Sequence, residues 1–590
     1  MISQSFAKLK FICNKYKRPT LRCFKYRTIT GLSNRALTIL YQPMECTMQY
    51  FTPVENLLRN SENFGDKVFL HQPINGQWHK YTWTDVEQQA RCIAAGLQAQ
   101  GFEQGTKIGI LSKNCAHWVI VDLAIMMAGM ISVPIYVTAN RVTIDYVIKH
   151  ANIKAIFVGK LDDMVESEAA INHDVLRIAL PYPTIPAQVN FSDWLAEHSP
   201  LIEIHHGKIN ETATLVYTSG STGTPKGVVL TYKNMAAVAQ CLATTFNVTK
   251  HDRAMSYLPL AHIVERSNSC VALYSALEVY FVESLDSFLD DLHYAKPNSF
   301  ISVPRLWTIF QANVLSKVSA AKLQLLLKIP FVGPMVAGKI RKALGLQCAK
   351  WFVSGTAPIP LALLQWYQKL GITISEGWGM TETAGASCVS YPFEQQHLGT
   401  IGKPLACVEM KLSAENEILI RGDSVFSEYY LDSQSTAESF SDGWFCTGDC
   451  AQVDEQGIYT IIGRIKDKFK TSKGKYVAPV PIESLLCTNT DIEQVCVMGS
   501  GLKQPVALIV LKQSIAKKDI VTEKALRSTL QWVNQQLESH QKVDYLFICH
   551  EAWTIENNLI TPTLKIKRNV IEQEFNALIA KEITSDIIWQ

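Results

Sequence analysis

From about Lys107 the sequence alternates short β-branched runs with helical patterns, and this alternation restricts the fold more than any other feature of the chain. "KIGILS" (107–112) is followed by a helical stretch over 118–128, by "ISVPIYV" (131–137), by a helical pattern over 142–150 and by "KAIFVG" (154–159). Strands that alternate with helices form parallel sheets covered on both faces, so the fold class is α/β. The alternation resumes at "TLVYTS" (214–219), at "AKWFVSG" (349–355) with the helical "PLALLQWYQKL" (360–370), and at "ITISEGWG" (372–379). In open sheets of this kind ligands sit beyond the carboxyl ends of strands, so the polar loops after these runs are where chemistry is expected. The same reading disposes of the most apolar stretch, 118–136. Asp122, Gly129 and Pro134 interrupt it, and a buried helix–strand unit explains it better than a membrane span.

Length and charge set the remaining limits. With 590 residues, 47% of them hydrophobic, the chain has material for two or more domains and is neither disordered nor disulfide-stapled. Its formal charge of +3, from 56 basic and 53 acidic residues, is too even to mark a nucleic-acid partner. Residues 1–47 nevertheless hold nine basic residues and the single acid Glu45, leaving a slightly acidic body from Met48 onward. This basic leader has either the composition of an organelle transit peptide, which would direct the protein to mitochondria, or lies upstream of a true start at Met44 or Met48. Fifteen singly scattered cysteines fit reduced thiols and a cytoplasmic protein, and Cys446 with Cys450 lacks the second ligand pair of a metal site. The apolar, basic segment 314–346 reads as a packed helical hairpin, with a membrane-surface patch as the alternative and peripheral membrane association as its consequence. After Gly443 the texture changes to short strands and turns, and a boundary is placed at Lys466–Asp467.

Residues 218–227, Thr-Ser-Gly-Ser-Thr-Gly-Thr-Pro-Lys-Gly, follow the apolar run "TLVY" directly. Hydroxyls, glycines and a terminal lysine make a loop whose backbone N–H groups can surround phosphate oxygens. It is not a P-loop, because Pro225 precedes Lys226 and Gly227 follows it. This run resembles the phosphate-binding signature of the adenylate-forming superfamily. Further elements stand in that family's order: "SYLPLAHIVER" (256–266), "SVPRLWTIFQ" (302–311), "SGTAPIP" (354–360), "EGWGMTET" (376–383), "GWFCTGD" (443–449), "GRIKDKFKTSKGKYVAPVPIE" (463–483) and "LITPTLKIKR" (559–568). The resemblance implies a large N-terminal adenylation domain with mostly parallel α/β sheets, 48–465, and a small, mobile α+β C-terminal domain, 466–590.

The resemblance also implies a two-step reaction: a carboxylate attacks the α-phosphorus of ATP to give acyl-AMP, and a thiol then displaces AMP. Thr218, Ser219, Gly220, Ser221, Thr222, Gly223 and Lys226 are then expected on the β- and γ-phosphates. Thr381 would meet the α-phosphate, and Glu382 would be the Mg²⁺ ligand, a hard oxygen donor suited to an ion shared with phosphates. Trp378 would stack on adenine, Gly355, Thr356 and Ala357 would line the purine edge, and Asp449 with Arg464 would take the ribose. Lys565 would bridge the acyl carboxylate and the α-phosphate, with Lys567 as a nearby rival because Leu564 replaces the glycine usual before this lysine. Gly474 would line the pantetheine channel, where a missing Cβ permits close approach.

"YLPLAHIVER" with "SVPRLWTIF" is most similar to the long-chain fatty acid CoA ligase subgroup. This implies a long-chain fatty acid, ATP and coenzyme A as substrates, with His262 at the junction of acyl pocket and CoA channel. Two alternatives stand beside it: an acyl-AMP ligase that loads a carrier protein, and a non-catalytic fatty-acid-binding relative. The latter should lack Glu382, Asp449 or Lys565, and all three are present. Glu428 stands where relatives often have glycine, without a sequence-level reason.

Overall fold

The computed structural model describes residues 49–219, 224–489, 491–512, 515, 518–555, 557–561, 565–579 and 585–590. The basic leader and Gly220, Ser221, Thr222 and Gly223 of the phosphate loop lie outside the described residues.

The alternating region folds as expected into a seven-stranded sheet. Its spatial order is Val189–Asn190, Leu176–Ala179, Ala155–Val158, Lys107–Leu111, Ile131–Ile135, Thr212–Ser219 and Pro225–Thr231. All neighbours are parallel except the last pair, an antiparallel hairpin that pairs Thr218 with Lys226 across the phosphate loop. The apolar stretch is the helix Ala116–Met127, buried at every position but Asp122, followed by strand Ile131–Ile135. Asp122 is tolerated there because Arg266 Nη2 donates to its Oδ1 at 2.7 Å.

Two more sheets complete the region before Lys403, and sequence alternation did not separate them. One runs Arg253–Ser256, Glu278–Phe281, Val68–Ile74 and Gln77–Thr82; the other runs Ser299–Ser302, Trp351–Ser354, Ile374–Met380, Gly385–Val389 and Lys403–Pro404. In the latter the parallel pairing ends at Ser302, Ser354 and Glu376, where three of the expected motifs begin, and this places them along one edge. Gly379 is required where Ile374–Met380 turns against Gly385–Val389, because a Cβ there would collide with the Gly385 carbonyl.

The texture change after Gly443 is an antiparallel sheet of Val408–Leu412, Glu417–Gly422, Trp444–Val453 and Tyr459–Arg464. Beyond it, Ile492–Met498, Val506–Leu511, Leu546–Cys549 and Ile587–Trp589 form a mixed sheet with its own buried cores. Arg568 grips the helix Pro479–Leu486 in bidentate fashion, Nη1 and Nη2 donating to Glu483 Oε1 and Oε2 at 2.7 and 3.0 Å. This pair fixes the chain three residues beyond Lys565.

Segment 314–346 contains the expected helical pair, packed on the core along a narrow inner face. It belongs to three successive helices, Pro304–Lys317, Ala320–Lys328 and Val332–Ala343, and in the last two only Leu323, Gly333 and Ala337 are buried. Glu428 has a plain explanation. Residues 428–430 lie along Pro225–Thr231, the Val229 N–H donating to the Glu428 carbonyl and the Tyr430 N–H to the Gly227 carbonyl. The Glu428 side chain points to solvent, so glycine is not needed there.

Candidate active site

The site is assembled at strand ends from segments far apart in sequence. Strand Trp444–Val453 carries Asp449 inward, 7% exposed, opposite Arg464 in the register with Tyr459–Arg464. Arg464 Nε donates to Asp449 Oδ1 at 2.7 Å, and Trp378 Nε1, from strand Ile374–Met380, donates to Oδ2 at 2.9 Å. The carboxylate is thus fixed in orientation and keeps further lone pairs for two hydroxyl donors. The Asp449 charge, foremost, holds the Arg464 guanidinium protonated beyond its ordinary range. The indole bond shows that Trp378 also positions Asp449, a function that the stacking expectation had not included.

Where Ile374–Met380 ends, the chain turns through Thr381–Thr383, held by the Met380 N–H donating to Thr383 Oγ1 at 3.1 Å. Glu382 Oε1 accepts from the Tyr429 hydroxyl at 2.9 Å, and Oε2 has no partner among the described residues. One anchored and one free carboxylate oxygen fit a cation shared with phosphates, since Mg²⁺ is commonly held by one or two carboxylates plus substrate oxygens. No group of three or more His, Cys, Asp or Glu side chains that could hold a metal ion occurs among the described residues.

Lys226 Nζ donates to Ser435 Oγ at 2.6 Å, lies 3.9 Å from Asp432 Oδ2 and sits 4.9 Å from the centre of the Tyr429 ring. The cation is therefore held at the start of the helix Ser433–Ser439. Tyr429, Asp432 and Ser435 were missed from sequence. Their only available signal was adjacency to the apolar "YY" run, because their partners lie 47 to 209 residues away.

Gly355, Thr356 and Ala357 follow strand Trp351–Ser354 as expected. Gly355 also has a packing reason, since a Cβ would lie 3.2 Å from the Gly377 carbonyl, and Thr356 takes a left-handed φ of 70°. His262 caps the helix Ile263–Ser275, its Nδ1 accepting from the Val264 N–H at 3.2 Å. Burial, aided by the nearby Lys565 charge, pushes its pKa down to about 4, so the imidazole is neutral at pH 7.

Lys565 is tied to Thr561, the Thr561 N–H donating to its carbonyl and its own N–H donating to Thr561 Oγ1. The side chain retains solvent-accessible surface, yet surrounding protein holds its ammonium below the ordinary range. The Arg464 charge lowers it further, while Asp449 and Glu382 oppose the shift. Lys567 instead donates to Asn558 within its own turn. Lys565, exposed as it is, feels the charges of Arg464, Asp449 and Glu382 and influences His262, whereas Lys567 is engaged with Asn558. Gly474 is not brought there by close packing. It takes φ 76° in the turn between Phe469–Lys470 and Tyr476–Val477, and only Lys470 Cε comes near a Cβ position, at 3.8 Å. Its positive φ is a conformational reason for glycine, and the space beside it is otherwise open among the described residues.

The same portion of the chain holds an apolar cavity. Leu260 and Glu265, on either side of His262, line it, as does Val353, two residues before Gly355. Glu265 is its one ionisable lining group, and burial pushes its carboxyl up to about 7.

Residues 57–430 match a family model described as AMP-binding enzyme, and residues 466–584 match one described as AMP-binding enzyme C-terminal domain. The chain belongs to the AMP-binding enzyme family. It is 30% identical over 563 residues to the long-chain-fatty-acid–CoA ligase FadD15 of Mycobacterium bovis, covering 86% of this chain and 93% of that protein. It is 29% identical over 582 residues to fatty acyl-CoA synthetase A of Dictyostelium discoideum, covering 86% of each. Among solved structures, the anthranilate CoA ligase AuaEII in complex with anthranoyl-AMP superposes with a TM-score of 0.76 at 21% identity, over 90% of this chain and 98% of that one. That likeness establishes the adenylate-forming fold.

Proposed function

We infer that the protein is an ATP-dependent ligase that activates a long-chain fatty acid to acyl-AMP and transfers the acyl group to coenzyme A. The observation that supports this reading is an apolar cavity lined by Leu260 and Glu265, which flank His262 in the sequence, and by Val353, two residues before Gly355. An acid whose chain fills the cavity would present its carboxylate beside His262 and Lys565. Each buried CH₂ adds about 0.8 kcal/mol, which favours long chains.

In the first half-reaction a carboxylate oxygen bonds to the α-phosphorus and pyrophosphate leaves. Two anions must meet, and fixed donors offset that repulsion, each well-placed one contributing about 3 kcal/mol. Lys565 supplies such a charge, Lys226 with the phosphate loop receives the departing pyrophosphate, Thr381 donates to the α-phosphate, and Asp449 orients the ribose. Glu382 would hold Mg²⁺, which when bound neutralises phosphate charge. A neutral His262 leaves Lys565 without a second cation competing for the carboxylate. In the second half-reaction the CoA sulfur bonds to the acyl carbon and AMP leaves.

Division at Lys466 into an adenylation portion (48–465) and a C-terminal portion (466–590) that rotates between half-reactions is part of this proposal, as is the role of Gly474 near the thiol. So is a cytoplasmic location; among the described residues no helix is long and apolar enough to cross a membrane. The test is AMP release with CoA across fatty acids of increasing length. Turnover should rise with chain length, and no turnover with any acid would overturn the reading.

A further inference from the structure

The helices Ala320–Lys328 and Val332–Ala343 expose apolar side chains in a compact run. Leu325 is 65% exposed, Phe331 90% and Met335 61%, with Ile329 and Val332 partly exposed. Leu325 and Ile329 are one turn apart on the first helix, as are Val332 and Met335 on the second, so each helix contributes an outer stripe. Leu323 and Ala337 supply the buried inner side.

The turn between the helices is unusual. The Val332 N–H donates to the Pro330 carbonyl at 2.8 Å, and Phe331 has φ 65° and ψ −37°. This is a γ-turn of the positive-φ kind, which is rare and strained for a bulky residue. The strain is spent on holding an aromatic ring out in solvent, and strain of this sort concentrates at functional positions.

The charge around the patch has one sign. Between Asp291 and Glu376 the sequence has no acidic residue and ten basic ones. Lys317, Lys322, Lys328, Lys339 and Lys342 are exposed, and none has a carboxylate partner among the described residues. The neighbouring acidic helix Phe288–Ala295 touches this region through His293 Nε2 on the Lys342 carbonyl. That contact lies about ten residues, or about 15 Å, along the helix from Val332, so the apolar tip is not neutralised by it.

We propose that the 320–343 helix pair docks on an anionic lipid surface, with Phe331, Met335 and Leu325 inserted at the headgroup boundary and the unpaired lysines over the headgroups. Apolar insertion and uncompensated lysines are the two terms that bind amphipathic elements to such surfaces, and lysine stems can lie along apolar surface while their ammonium groups reach phosphates. The inference stands on the geometry of this patch and does not require the ligase reading.

Vesicle sedimentation with the full chain tests it, using phosphatidylcholine vesicles with and without phosphatidylserine. The wild type should bind the phosphatidylserine vesicles preferentially and lose binding at high salt. The pair F331S/M335S and, separately, K328E/K339E should each lower partitioning at least about tenfold. Both variants should leave AMP release from detergent-dispersed acid within about twofold of wild type, since these residues are remote from the motifs. Absence of wild-type binding overturns the proposal, as does equal binding by both variants, which would assign attachment to another part of the chain. Loss of self-association in F331S/M335S by sedimentation velocity, with vesicle binding unchanged, would assign the patch to a second copy and also overturn it.

Discussion

Replacing Glu265 by glutamine tests the apolar character of the cavity through the cost of ionising its one carboxyl. Glu265 is 4% exposed, and burial raises it from 4.5 to about 7, opposed only by bonds from Ser256 and Asn268; its neighbour Arg266 is engaged with Asp122. A change of that size is worth about 3 kcal/mol between the protonation states. Below about pH 4.5 the folded and unfolded chains both carry the proton, and the group costs nothing. From there to about 7 the unfolded chain ionises while the folded chain retains its proton, so stability falls as pH rises; above about 7 the loss is complete. Glutamine keeps the shape and cannot ionise. Urea unfolding followed by tryptophan fluorescence should find Glu265→Gln within about 1 kcal/mol of wild type near pH 5 and about 3 kcal/mol more stable near pH 8.5. The KM for the fatty acid should rise above about pH 7 in wild type but not in the variant, because an ionised carboxyl disfavours an apolar chain beside it. A stability difference independent of pH, or a variant less stable throughout, would refute the reasoning.

Three further outcomes follow from the polar site. Lys565→Ala should lower acyl-AMP formation, read as pyrophosphate release, by about 10² to 10³ while sparing thioester formation from supplied acyl-AMP; equal loss of both would remove Lys565 from its assigned place. Asp449→Asn, which weakens the bonds from Arg464 and Trp378 along with those expected from ribose, should raise the KM for ATP by about 10² with a smaller effect on the KM for the acid. Tyr429→Phe leaves Glu382 without its orienting hydroxyl and should raise the Mg²⁺ concentration needed for half-maximal rate by about tenfold, with the maximal rate restored at high Mg²⁺.

The local order of this fold was legible because it is written in short windows. "KIGILS" and "ISVPIYV" are strands, the apolar run between them is mostly helix, and Asp122 correctly argued against a membrane span; the structure adds that Arg266 neutralises it. The motifs with their own local geometry, such as "EGWGMTET" with its required Gly379, were legible for the same reason. What could not be read was pairing at long range. Nothing near Asp449 announces that Trp378, 71 residues earlier, will donate to it, and nothing near Lys226 announces Ser435. The division of the alternating strands into three sheets is likewise set by which helices pack between them. In the 314–346 segment the helical pair was legible, but not which of its apolar residues would face solvent, as Leu325, Phe331 and Met335 do. The difference between Lys565 and Lys567 could not be read either, since the engagement of Lys567 with Asn558 is a contact that only the fold makes.

The central claim is that one site joins a fatty acid carboxylate to the α-phosphate of ATP before any thiol is acylated. Its most direct test is turnover of a long-chain acid whose carboxyl carries heavy oxygen, with ATP and CoA, followed by mass spectrometry of the nucleotide and the thioester. Attack by the carboxylate on the α-phosphorus predicts a labelled oxygen in the phosphate of AMP, together with an acyl-CoA product. Unlabelled AMP, or ADP with labelled inorganic phosphate, would contradict it.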